Sequence, residues 1–372
     1  MNNTLRELEK LGQSIWIDNI SRRMLKSGEL KRLIEEDGIS GVTSNPTIFQ
    51  KAIGKGNDYD EQIKSLLSVN PELSAADLFE TLSVKDIQDG TDMLSHIYDS
   101  TDGNDGFVSL EVPPDLAYNT KRTIEEARRL FKAVNRKNVM IKIPATQEGI
   151  PAIRQMISEG VNINITLIFA QSVYEQVVDA YLSGLEDRAK EGKDIKNITS
   201  VASFFISRID TAVDEALSKV NNEDLKGKIA IANAKLVYQK FEEIFSGQRF
   251  RRLQEKGAKK QKVLWASTST KNPAYPDIIY IEELIGRHTI NTVPPATIEA
   301  YKDHGNPKVT ITQNVDAAAA QMKKLAELKI DFSKITKKLT DDGVILFSNS
   351  FKEMLNEIEK KKSDILAQVL SS

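Results

Sequence analysis

At 372 residues the chain is long enough for one large α/β barrel or two medium domains, and its hydrophobic (40%) and charged (28%) fractions are those of an ordinary globular protein. A formal net charge of −2 gives no electrostatic reason to expect nucleic acid or an anionic membrane as a partner. The absence of cysteine excludes disulfides, thiolate nucleophiles and cysteine-bound metals, and His96, His288 and His304 are too widely separated to suggest a zinc site.

In chain order, residues 1–11 are charged and helix-like, not a signal peptide, and no later apolar run is long enough to span a bilayer. A soluble, cytoplasmic protein is expected. Short apolar runs that read as strands follow at 14–18, 39–43, 107–112, 139–143, 163–167, 198–203, 263–267 and 288–291. Amphipathic helical patterns lie between them at 114–133, 147–158, 171–188, 206–220 and 225–245. The link from the second strand to the third, 46–106, is long, carries several helical patterns and ends in a turn-rich stretch at 99–106. The basic run 247–262 reads as a solvated helix face. Two further helices, 315–328 and 341–362, are expected to be appended to the barrel or packed across it. Eight β-then-α units predict a closed (β/α)8 TIM barrel, with residues 1–372 as one domain carrying helical extensions at both ends.

The strands share one pattern. Side chains alternate across a strand, so in V-M-I-K-I-P (139–144) the aliphatics Val139, Ile141 and Ile143 face one way and Lys142 the other. Taken alone, Lys142 also fits a strand-end lysine reaching solvent. The same parity, however, opposes Asp18 to Ile15 and Ile17, Glu111 to Val108, Leu110 and Val112, and Asn164 and Thr166 to Ile163, Ile165 and Leu167. Thr43 and Asn45 fall together, and strands six and seven end at Ser203 and Ser267. If helices cover the aliphatic faces, all these polar groups converge at the C-terminal rim, where barrel enzymes hold their chemistry. Such a cluster is costly as mere structure and reads as an active site.

The group types suggest a reaction. A partly dehydrated lysine beside two carboxylates, with neither metal nor thiol, suits Schiff-base formation with a carbonyl substrate. The carboxylates Asp18 and Glu111 suit proton transfer, and Thr166 suits holding a water between lysine and carboxylate. Asn45 and Asn164 suit substrate hydroxyls. Arg208 and Lys271, with Ser203 and Ser267, suit a phosphate tail, although Arg208 also fits a surface arginine at a helix start.

S-I-W-I-D-N (14–19), G-V-T-S-N-P-T-I-F (41–49), V-S-L-E-V (108–112), I-K-I-P-A-T (141–146), N-I-T-L-I-F (164–169) and A-S-F-F-I-S-R (202–208) resemble the transaldolases. W-A-S-T-S-T-K-N-P (265–273) and T-I-N-T-V-P (289–294) are similar to the longer, bacterial and plant-type branch. The resemblance spans nearly the whole chain. It implies a class I aldolase-like barrel without cofactor or metal. The implied reaction moves a dihydroxyacetone unit from sedoheptulose 7-phosphate or fructose 6-phosphate to glyceraldehyde 3-phosphate or erythrose 4-phosphate, in the non-oxidative pentose phosphate pathway.

By the same resemblance Lys142 is the Schiff-base lysine, Glu111 and Thr166 work through a water, and Asp18 takes the proton of the C4 hydroxyl. Thr43, Asn45, Asn164 and Ser203 hold the three-carbon unit, Phe205 lines the pocket, and Arg208 and Ser267 take phosphate. Shorter transaldolases carry an arginine where Ser269 stands here, leaving Lys271 as its substitute. Two other readings are a fructose 6-phosphate aldolase-like lyase on the same site and a non-enzymatic barrel that binds sugar phosphates. The expected partners are sugar phosphates, with no nucleic acid or membrane, and the chain is expected to be a monomer or homodimer.

Overall fold

The computed structural model describes residues 3–54 and 56–371. Its eight strands are β1 (Gln13–Ile17), β2 (Gly41–Val42), β3 (Val108–Glu111), β4 (Val139–Pro144), β5 (Ile163–Ile168), β6 (Ser200–Phe205), β7 (Lys262–Ala266) and β8 (Thr289–Val293). They close into a barrel in chain order. Every pairing is parallel, including β1 against β8, so the expected (β/α)8 barrel is the fold. The outward aliphatics Ile15, Ile17, Val139, Ile141, Ile143 and Ile163 are buried beneath the helical layer. One pleat below Asp18, Trp16 fills the interior: its indole N–H donates to Asp105 at 2.8 Å. Gly41 on the neighbouring strand admits that ring, since a Cβ there would lie 2.3 Å from Trp16 Cε2.

Helix α1 (Thr4–Lys10) precedes the barrel, α2 (Arg22–Lys26) and α3 (Glu29–Asp37) follow β1, and α4 (Pro46–Gly54), α5 (Asp60–Val69) and α6 (Ala75–Ser100) fill the long second connection. Next come α7 (Thr120–Val134), α8 (Gly149–Glu159) and α9 (Gln171–Lys190), one in each crossover from β3 to β6. Between β6 and β7 lie α10 (Ser207–Lys219), α11 (Ile229–Ser246) and α12 (Gln248–Gln254), and α13 (Ile279–Glu282) precedes β8. The chain closes with α14 (Pro295–His304), α15 (Val315–Glu327) and α16 (Phe332–Ser371). No helix of the described residues is long and apolar enough to cross a membrane.

Three expectations change in detail. The helix expected at 114–133 splits into a 3-10 turn (Pro114–Leu116) and α7, because Asn119 accepts the Arg122 N–H and caps a new start. In the basic run, Arg251 and Arg252 are exposed as expected, but Arg249 bonds Asp179, Ser183 and Glu186 and so ties α12 to α9. The helix expected at 341–362 begins at Phe332 and packs against the end of β5. Gly343 allows that approach: a Cβ there would lie 2.8 Å from Leu167 Cδ2, and Leu167 itself turns through φ +59°.

The long connection has two uses. Helix α4 faces α16 and contributes side chains to the barrel mouth. Helices α5 and α6 are anchored to α2 by a buried network in which Arg22 pairs with Asp86, Tyr59 donates to Asp86 at 2.7 Å, and the Arg22 N–H donates to Tyr59 at 3.0 Å.

Candidate active site

Strand register places the first pair. Glu111 on β3 and Lys142 on β4 are direct neighbours, and Lys142 in turn neighbours Asn164 on β5. Adjacent residues in register point the same way, so all three enter the barrel. Lys142 Nζ lies 3.1 Å from Glu111 Oε2 and donates to the Ser44 carbonyl, also at 3.1 Å. Above it sits the Phe347 ring of α16, with the nitrogen 5.7 Å from the ring centroid.

Asp18 follows β1, where its N–H donates to the Val293 carbonyl. The Thr43 hydroxyl donates to Asp18 Oδ1 at 2.7 Å, and Thr292 Oγ1 lies 2.6 Å from that same hydroxyl. Burial raises the pKa of Asp18; the Lys142 charge, and then the Thr43 bond, oppose the shift. Burial likewise raises Glu111 against the pull of Lys142, and the charge of Asp18 pushes it further up. Two carboxyls sharing one ammonium in a dry enclosure therefore protonate more readily than free side chains.

Asp18, Thr43, Asn45, Lys142, Thr166, Ser203, Phe205, Arg208, Ser267 and Lys271 all line one cavity of about 320 Å³ at the C-terminal mouth. Two expected members stand behind its wall. Glu111 is reached past Lys142 and opens toward a second, smaller cavity. Asn164 is buried with both ends engaged: its amide donates to Ser109 at 2.9 Å and its oxygen accepts from Ser203 at 2.7 Å. Thr166 Oγ1 is buried without a hydrogen-bond partner among the described residues, free for a water or a substrate atom.

Ser267 reaches the cavity by a route other than strand alternation. In β7 it is Leu264 and Ala266 that pair with the inward Ser203 and Phe205. Ser267 lies just beyond the strand in left-handed backbone, at φ +55°, and its hydroxyl comes 2.9 Å from that of Ser207. At the rim, Arg208 is half-buried over the Phe205 and Phe347 rings. Lys271 Nζ donates to Ser269 Oγ at 2.6 Å, which holds its ammonium at the same rim.

Several cavity residues escape a strand-parity reading, among them Thr292, Ile48, Lys51 and Phe347. Thr292 lies beyond the expected end of strand eight at 291, though it shares the parity of Ile290. Lys51 and Ile48 come from α4 and Phe347 from α16, helices whose position over the mouth is tertiary. Among the described residues no three His, Cys, Asp or Glu side chains cluster to hold a metal ion. The arrangement can form a covalent adduct on an amine, move protons through two carboxyls, and grip an anion at the rim.

Comparison with known proteins matches nearly the whole chain. The family described as Transaldolase/Fructose-6-phosphate aldolase matches residues 15–358. A transaldolase of Trichodesmium erythraeum is 45% identical over 374 residues, covering 97% of this chain and 98% of that one. A transaldolase of Parafrankia sp. is 46% identical over 365 residues, at 97% and 98% coverage. One from Thiobacillus denitrificans is 44% identical over 359 residues, at 96% and 99%.

Proposed function

Because the chain belongs to the transaldolase/fructose-6-phosphate aldolase family, we propose that it is a transaldolase working through a Schiff base on Lys142. It passes a dihydroxyacetone unit from fructose 6-phosphate or sedoheptulose 7-phosphate to glyceraldehyde 3-phosphate or erythrose 4-phosphate. The observation that carries this reading is the enclosed pair of Lys142 and Glu111 at 3.1 Å, with Asp18 lining the same cavity as Lys142. In a cell the reaction belongs to the non-oxidative pentose phosphate pathway, in the cytoplasm.

Lys142 Nζ attacks the ketose C2 in its neutral form, its proton passing to Glu111, whose raised pKa suits it to receive one. The carbinolamine loses its hydroxyl as water, with Glu111 supplying the proton through a water on Thr166. Asp18 then takes the C4 hydroxyl proton as the C3–C4 bond breaks. The shorter aldose phosphate leaves, and its bonding pair remains as an enamine on Lys142. Addition of the enamine to an acceptor aldehyde makes the new C–C bond, Asp18 returns the proton, and water hydrolyses the imine. Thr43 orients Asp18, while Asn45 and Ser203, the latter set by Asn164, hold the hydroxyls of the three-carbon unit. Arg208, Ser267, Lys271 and Lys51 supply the anion site.

A lyase on the same residues would protonate the enamine and release dihydroxyacetone. Incubation with fructose 6-phosphate alone, and then with erythrose 4-phosphate added, separates the two. Transfer predicts turnover only with the acceptor present; steady release of dihydroxyacetone without it would assign the lyase.

A further inference from the structure

The two cations nearest Asp18 at the rim stand on different segments. Arg208 is the second residue of α10, whereas Lys271 lies in the loop between β7 and α13. A lysine stem on a loop has no fixed distance from a helix-borne guanidinium unless something ties the two segments together. Asp210 and Asp214, one turn apart on α10, do this in the same way.

Each carboxylate divides its oxygens between two elements. Asp210 Oδ1 accepts the Ala230 N–H at 2.8 Å, and its Oδ2 accepts the Tyr280 hydroxyl at 2.8 Å. Asp214 Oδ1 accepts the Gly227 N–H at 3.0 Å, and its Oδ2 accepts the Tyr275 hydroxyl at 2.6 Å. One oxygen of each thus holds the start of α11, and the other holds the segment that follows Lys271. Gly227, at φ +67°, lets the Tyr275 ring approach the backbone closely, since a Cβ there would lie 2.8 Å from Tyr275 Cζ. Asp210 and Tyr280 are fully buried. Apolar packing would fasten the loop without the desolvation cost of a buried carboxylate, but it would not define a distance so closely.

We propose that the Asp210–Tyr280 and Asp214–Tyr275 hydrogen bonds are positioning contacts that set the spacing of Arg208 and Lys271, and so confer affinity for a phosphorylated substrate. The inference rests on the assignment of those two cations to phosphate. None of the four residues lines the cavity, so their action is indirect.

The test uses the whole enzyme and two readouts. One is competitive inhibition by inorganic phosphate against fructose 6-phosphate. The other is the rate of borohydride trapping with dihydroxyacetone, which engages Lys142 but carries no phosphate. Tyr275→Phe and Tyr280→Phe each remove only a hydroxyl, and each is expected to raise the phosphate inhibition constant about tenfold. Trapping with dihydroxyacetone stays unchanged. Arg208→Gln serves as the reference and raises the same constant. If Arg208→Gln raises it and the tyrosine variants do not, the positioning role is overturned while the phosphate site stands. If the tyrosine variants slow trapping in equal measure, their role is general packing and the proposal also falls. If Arg208→Gln leaves the constant unchanged, the phosphate assignment fails and this inference with it.

Discussion

Lys142 Nζ stands 3.1 Å from Glu111 Oε2, each side chain only 6% exposed, on adjacent strands in direct register. Backbone pairing, and not a flexible loop, therefore delivers both groups to one point. Replacing Glu111 with Gln keeps the volume and removes the proton acceptor. Imine formation should slow by about 10²–10⁴-fold, read as single-turnover adduct formation from fructose 6-phosphate. An unchanged rate would remove Glu111 from proton transfer.

On the proposed mechanism, the two buried carboxyls should set the acid limb of activity. Burial raises both above the ordinary range, so as pH falls each takes up a proton earlier than a free side chain would. Protonated Asp18 cannot accept the C4 hydroxyl proton, so cleavage should decline as pH drops through the raised range and recover above it. The limb belongs to the coupled pair, and Asp18→Asn should flatten it while leaving adduct formation intact. Normal cleavage in that variant would refute the role of Asp18.

At the rim, Lys51, Arg208 and Lys271 line one cavity, and the proposed anion site rests on all three. Lys51→Ala and Lys271→Ala should each raise KM for phosphorylated sugars about tenfold with kcat nearly retained, the cost of one charged hydrogen bond. An unaltered KM in either variant would take that lysine out of substrate binding.

Stability should respond unequally to two ion pairs. Asp86→Ala leaves Arg22 buried without its partner, and denaturant unfolding should show a loss of about 3–5 kcal/mol. Glu80→Ala breaks a pair with Arg129 whose side chains are 33% and 48% exposed, and should cost about 1 kcal/mol or less. Equal losses would mean that the α2–α6 network is not what anchors the second connection.

What could be read in the chain follows from period two. Asp18, Glu111, Lys142 and Thr166 sit in or at the ends of regular strands, where parity alone assigns a face. Ser267 broke that logic because left-handed backbone follows β7, and parity would have turned it outward. Thr292 lies past the expected end of strand eight at 291 and shares its inward face with an aliphatic, Ile290, so the rule that aliphatics face outward fails in β8. Lys51 and Phe347 carry no local sign at all, since only the packing of α4 and α16 over the mouth brings Lys51 into the cavity and Phe347 over Lys142 and Arg208. Engagement was equally invisible: nothing in N-I-T distinguishes Asn164, with both ends bonded, from Thr166, whose hydroxyl has no partner among the described residues.

The central claim is the covalent bond to one amine, and reductive trapping tests it most directly. Borohydride added with fructose 6-phosphate should leave a stable three-carbon adduct on the peptide bearing Lys142. The adduct should vanish in both Lys142→Ala and Lys142→Arg, the second because a guanidinium stays protonated and cannot attack. An adduct mapped to another residue, or one that survives loss of Lys142, would contradict the account.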